Sequence, residues 1–160
     1  MAIAPLWWAA GGCRRGGQDE AGPGARDSHA ELTVRVDFPD SALVDDPTVN
    51  EFLRMAMAAC AGGDYDQFRR LWSAKAEPLT REQFERGWNS AESIAVLAVQ
   101  PMRHPGNGSL LYYAHARFEL AANLPDPRRE VVVLIIEEEG AWCLARAPKA
   151  LTRKVLGLEP

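Results

Sequence analysis

Residues Thr80 to Met102 read TREQFERGWNSAESIAVLAVQPM, and within this stretch the pattern of the chain changes from helical to extended. Thr80 and Gln83 have the spacing of a capping box, and Leu79 and Phe84 occupy the two positions of a hydrophobic staple. Phe84 and Trp88 then repeat at i+4, which predicts a helix over 80–90. From Ser93 onward the three-four spacing stops, and Ile94 to Val99 is apolar on both faces, as expected of a buried strand over 92–102. Helices first and strands afterwards define an α+β chain.

The helical part extends upstream. Asp46 and Pro47 have the N-cap and first-turn order of a helix start. Val49, Phe52, Leu53, Ala56 and Cys60 fall on one stripe of a helix over 46–61. Gly62-Gly63 ends it, and Asp64 caps a second helix over 64–75 whose buried face is Tyr65, Phe68, Leu71 and Trp72. Further upstream, Glu31 to Phe38 alternates Leu32, Val34, Val36 and Phe38 against Thr33, Arg35 and Asp37, a half-buried edge strand ended by Pro39.

Downstream, Pro101 to Ser109 is punctuated by proline and glycine and reads as a loop. A strand follows over 109–122. Leu110, Tyr112, Ala114, Ala116, Phe118 and Leu120 face inward, while Tyr113, His115, Arg117 and Glu119 face outward. Strands over 130–138 and 141–147 meet at the tight turn Glu139-Gly140. Consecutive strands with short connections pair antiparallel. Residues 149–160 form a C-terminal tail.

The 160 residues suit one domain, and an apolar fraction of 47% with 25% charged residues is that of an ordinary globular chain. The net charge is -4. The basic residues are scattered, with pairs at Arg14-Arg15, Arg69-Arg70 and Arg128-Arg129, so a nucleic-acid partner is not expected. Cys13, Cys60 and Cys143 form no CxxC, and His29, His104 and His115 are far apart, so neither a metal site nor a cofactor is expected.

The first thirty residues stand apart. MAIAPLWWAA (1–10) is uncharged and apolar, yet far too short to span a bilayer as a helix. Gly11-Gly12-Cys13 follows, then the polar, glycine-rich tract 14–30, which has too little apolar surface to repay ordering and reads as a flexible linker. An apolar stretch, small residues, a cysteine and a tether resemble a bacterial lipoprotein signal. The resemblance implies a signal over 1–13, lipidation of Cys13 and a cell-envelope location, with the membrane reached only through the lipid. Ala10 stands where leucine is usual, and no Lys or Arg precedes the apolar stretch. The alternative is a cytoplasmic chain, although exposed Leu6-Trp7-Trp8 argues against one. With Cys13 lipidated, Cys60 and Cys143 remain as an even pair, either bridged or as two separate thiols.

From 46 to 148 the order of elements is similar to the NTF2-like (cystatin-like, SnoaL-type) fold, in which N-terminal helices pack in a curved antiparallel sheet. Gly62-Gly63-Asp64-Tyr65-x-x-Phe68 resembles that family's short-helix start, and Val131 to Leu144 resembles its closing hairpin. The resemblance implies a conical pocket, used by some members as an active site and by others to bind ligands or partners.

The inward face and the helices supply Tyr65, Trp72, Trp88 and Tyr112 as the lining of an apolar ligand pocket or of a core. Isomerase-type catalysis needs a buried carboxylate with a raised pKa. The inward candidates on the long strands are Glu92 and one member of Glu137 to Glu139, of which the last three sit beside a turn and read as exposed. The outward row Tyr113, His115, Arg117 and Glu119 has the groups of an acid, a base and an anion clamp, but it faces away from the helices. Residues 93–99 and 131–136 are apolar on both faces, so the outer sheet face needs a cover: a homodimer partner, or the strand at 31–38. The expectation is a non-catalytic, exported, lipid-anchored domain that binds a small apolar ligand or a protein partner. The alternatives are a small pocket enzyme of isomerase, dehydratase or hydrolase type and a cytosolic dimerisation module.

Overall fold

The structure is a computed structural model that describes residues 34–158; the expected signal, Cys13, the linker and residues up to Thr33 lie outside that range. Asp46 starts the longest helix as its sequence predicts. Its carboxylate accepts the Thr48 amide at 2.9 Å, with Pro47 in the first turn, and α1 runs Pro47–Ala61. Val49, Phe52, Leu53, Ala56 and Cys60 are all buried. Each large side chain on that stripe contributes about 1.5–3 kcal/mol by leaving water. Asp64 accepts from the Gln67 amide and opens α2 (Tyr65–Arg70). Thr80 and Gln83 close a reciprocal capping box on α3 (Arg81–Trp88).

Among the described residues, five strands form one mixed sheet in chain order: β1 (Arg35–Asp37), β2 (Ala91–Arg103), β3 (Leu110–Leu120), β4 (Arg128–Glu138) and β5 (Ala141–Arg146). β2 to β5 are an antiparallel meander. The wholly antiparallel sheet expected from sequence needs correction at β1, which pairs parallel to β2 through Arg35–Ser93, Val36–Ile94 and Asp37–Ala95. Three helices lie between the two strands, and so long a crossover brings the chain back in the same direction. Among the described residues of the expected strand, Val34 and Phe38 lie outside β1. Val34 is buried before it, but Val36 is 39% exposed because the strand forms the sheet edge.

Three other boundaries differ, each through tertiary contacts. The helix expected to reach 75 stops at Arg70, because Leu71 to Ser73 pairs with the edge of β5. The Leu144 amide donates to Leu71 O at 2.7 Å, and the Ser73 amide donates to Leu144 O at 2.9 Å. The loop expected from Pro101 begins only at His104. β1 pairs with β2 no further than Ala95, so Pro101 sits where β2 has a free edge and a missing N–H removes no ladder bond. The expected C-terminal tail contains α4 (Lys149–Val155), which packs against β4.

The two-faced apolar pattern of β2 has a local cause. The ladder to β3 shifts register between Val96 and Ala98, so Leu97 is a bulge residue. Ile94, Val96 and Val99 are all buried despite their uneven spacing, and Leu97 is left partly exposed. In β4 the apolar run does cover both faces. Ile135 and Val133 join the core with Tyr112, Ala114 and Leu144. Val132, which pairs with His115 on the opposite face, is also buried. Leu110, expected inward, lies at the strand end and is 45% exposed, whereas Leu111 is buried.

The core has two clusters. One joins α1 to the middle of β2, β3, β4 and β5. The other gathers Phe68, Phe84, Cys60, Ile94 and Leu120 where α2 and α3 meet the far end of β2 and β3.

Candidate functional site

An open groove of about 480 Å³ lies between the first half of α1 and the β4–β5 hairpin. Pro47, Thr48, Glu51, Phe52 and Met55 form one wall, and Leu71, Gly140, Ala141 and Trp142 form the other. The helical wall follows from the Asp46-Pro47 start, which aims residues 48, 51, 52 and 55 to one side. The hairpin wall depends on two left-handed residues, Glu139 at φ 53° and Gly140 at φ 81°, the backbone of a tight two-residue turn.

Side-chain bonds fix the walls relative to each other. Trp142 Nε1 donates to Thr48 Oγ1 at 2.9 Å, and Thr48 Oγ1 donates to Asp46 Oδ1 at 2.6 Å. That hydroxyl is the main reason the Asp46 carboxyl is held below its usual value. The Trp142 ring meets Tyr112 edge-on at 5.7 Å. Burial, and then the nearby charges of Asp46 and Asp45, push the Tyr112 phenol up. Ser73 Oγ donates to Glu138 Oε1 at 2.8 Å, which ties the segment after α2 to the same hairpin. Among the described residues of the lining, Glu51 is the titratable one, and Met55 is 43% exposed. These residues offer apolar surface with one carboxylate in the wall.

The four rings singled out from sequence lie elsewhere. Tyr65, Trp72 and Trp88 surround Phe68 and Phe84: Tyr65–Phe84 at 5.5 Å, Phe68–Trp72 at 5.8 Å and Phe84–Trp88 at 5.2 Å. Tyr112 belongs to the other cluster, and Trp72 touches both. None of the four lines the groove. The Tyr65 hydroxyl donates to Leu79 O at 3.1 Å. Among the described residues, the buried indole N–H groups of Trp72 and Trp88 meet no acceptor.

The outward row on β3 has side-chain partners at each position. His115 Nε2 lies 2.8 Å from Glu130 Oε2, and Arg117 Nε donates to Glu130 Oε1 at 3.2 Å. Tyr113 donates to Gln100 Oε1 at 2.8 Å, and Arg128 Nε donates to Glu119 at 3.0 Å. The hydrogen bond from His115 is the first cause that holds Glu130 low, with Arg117 adding to it. A general acid needs a carboxylate shifted the other way. Among the described residues, no three of His, Cys, Asp and Glu come together as metal ligands. Cys60 and Cys143 are separate free thiols. His104 is an exposed loop residue whose Nδ1 accepts from the Gly106 and Asn107 amides.

The groove residues are those that sequence reasoning missed. Asp46-Pro47 and Glu139-Gly140 were legible as a helix start and a turn, but no local signal says that the two face each other. No protein-family model matches the chain, and no curated protein matches it.

Proposed function

We propose that this is a non-catalytic binding domain of NTF2-like type that takes a small apolar molecule in the groove between α1 and the β4–β5 hairpin. One observation carries the reading: the walls are apolar, open to solvent, and fixed by the Trp142–Thr48 bond. Its volume lies within the span of about 300–1,000 Å³ usual for small-molecule sites. The NTF2-like assignment is supported by helices that precede a four-strand meander and pack on one side of it. The outward His115–Glu130–Arg117 cluster gives the enzyme reading less support, because its carboxylate is held low. Titration with the neutral dye N-phenyl-1-naphthylamine, followed by NMR at the Trp142 indole and the Met55 methyl, tests the proposal. Saturable shifts at both groups support it, with loss of binding in Met55→Glu. Shifts confined to other residues, or none, refute it.

Export and lipid anchoring at Cys13 complete the proposal. They are supported by the apolar stretch, small residues and tether that surround that cysteine. Among the described residues, no helix is long and apolar enough to cross a membrane. Mass spectrometry of membrane fractions decides: diacylglyceryl-modified Cys13 supports the anchor, and an unmodified soluble chain beginning at Met1 removes it. A second reading, homodimerisation through the outer sheet face, is favoured by the incomplete burial of Leu134 and Ile136, which share the face of Val132. Sedimentation equilibrium reads the dimer directly.

A further inference from the structure

The turn between β2 and β3 reads His104-Pro105-Gly106-Asn107-Gly108-Ser109, and every one of these residues is exposed. Asn107 is held in a specific arrangement there. Its Oδ1 accepts two hydrogen bonds from Ser109, one from the amide at 3.1 Å and one from the hydroxyl at 2.9 Å. An asparagine side chain bonded to the backbone two residues on is folded over the intervening peptide. That peptide nitrogen belongs to Gly108, which has φ +69° and, apart from its two chain neighbours, no described residue within 4 Å of the position a Cβ would take.

We infer that Asn107 is a site of self-modification, at which the Gly108 nitrogen attacks the Asn107 carboxamide and converts the residue to aspartate and isoaspartate. Hydroxide removes the Gly108 amide proton, and the nitrogen forms a bond to Asn107 Cγ. Negative charge then develops on Oδ1, the atom that already receives both Ser109 donors; donors aimed at a developing oxyanion lower such a barrier. The Cγ–Nδ2 bond breaks, and ammonia leaves with a proton taken from water. Water opens the resulting cyclic imide at either carbonyl. No oxidant, metal or second protein is needed. One contact opposes the step: the Gly108 N–H donates to His104 O at 2.9 Å and must be freed first. The product places a new carboxylate next to Arg103, whose Nη1 donates to Gly108 O at 3.1 Å. In the isoaspartate form it also lengthens the backbone of the turn by one methylene.

The test compares the folded full chain with a free peptide spanning Met102 to Leu111, both incubated at mildly alkaline pH. Isoaspartate at 107 is read by electron-transfer mass spectrometry. The folded chain is expected to convert at least as fast as the peptide. Ser109→Ala should slow the folded chain by about threefold or more, a small part of what an enclosed oxyanion donor gives, and leave the peptide rate unchanged. Ser109→Thr, which keeps the hydroxyl, should restore the rate. An intact Asn107 in the folded chain while the peptide converts overturns the inference. So does a Ser109→Ala chain that converts at the unaltered rate. These variants lie in an exposed turn, so circular dichroism should show the same fold throughout.

Discussion

The Trp142 indole N–H donates to the Thr48 hydroxyl at 2.9 Å, so a bond between residues far apart in sequence ties the first turn of α1 to the strand that closes the sheet. The same hydroxyl donates to Asp46, so the helix cap and the hairpin are coupled through one oxygen.

Trp142→Phe removes the indole donor together with one ring of the side chain. It should cost about 1 kcal/mol or more, the net worth of one such bond being about 1 kcal/mol. Thr48→Val removes that bond and the hydroxyl's bond to Asp46 as well, so it should cost more. The double variant should lose less than the two single losses together, because they share the Trp142–Thr48 bond. Urea unfolding of the two single variants and the double variant measures this.

Asn50 is 8% exposed and carries both halves of an amide pair: its Oδ1 accepts the Val44 amide at 3.0 Å, and its Nδ2 donates to Val44 O at 2.7 Å. Asn50→Leu leaves a backbone donor and a backbone acceptor without partners. It should destabilise the domain by about 2–3 kcal/mol, more than most surface changes. A change below about 0.5 kcal/mol in chemical denaturation contradicts this account.

Glu130 links stability to pH. Its folded pKa lies below the ordinary glutamate value of 4.5, first through the His115 hydrogen bond and then through Arg117. A carboxylate held low stabilises the fold at pH above its unfolded value, and that contribution disappears as pH falls through the folded value. Glu130→Gln should therefore be less stable than the natural chain at neutral pH, and the gap should close in acid below 4.5. The effect should be small, because the pair is partly solvated. Chemical denaturation across a pH series reads the gap, and a gap that widens in acid would contradict the assignment.

Burial pushes the Cys60 thiol up to about 12. Cys60 should resist iodoacetamide in the folded chain at neutral pH and react only on global unfolding. The half-exposed Cys143 should react first of the two, although slowly, because burial and Glu138 raise its thiol as well. Peptide mapping after timed alkylation gives the order.

Features set by neighbours in sequence were legible. The caps at Asp46, Asp64 and Thr80, the α1 stripe and the Glu139-Gly140 turn all depend on residues within a few positions of each other. What sequence reasoning missed depends on distant partners. α2 ends where Leu144 competes for the Leu71 backbone. Pro101 fits a strand only because β1 stops short of it. The bulge at Leu97 makes a two-faced apolar pattern out of a strand that buries Ile94, Val96 and Val99 and leaves Leu97 exposed. At the candidate site, Tyr65, Trp72, Trp88 and Tyr112 were legible as rings turned toward the interior, and the first three pack around Phe68 and Phe84. The groove lies apart from them, between residues of α1 and of the β4–β5 hairpin that are distant in sequence.

The parallel pairing of β1 has a mechanical consequence. Among the described residues, three pairs hold it to β2, and its partner residues join the chain after three helices. Closing so long a segment is entropically expensive before any contact rewards it, so β1 should zip onto the sheet late in folding. Tension applied at Val34 would strip it first, at a force too low to disturb the meander. The domain would then respond to pulling from that side in two steps, with the loss of one short strand preceding the collapse of everything else.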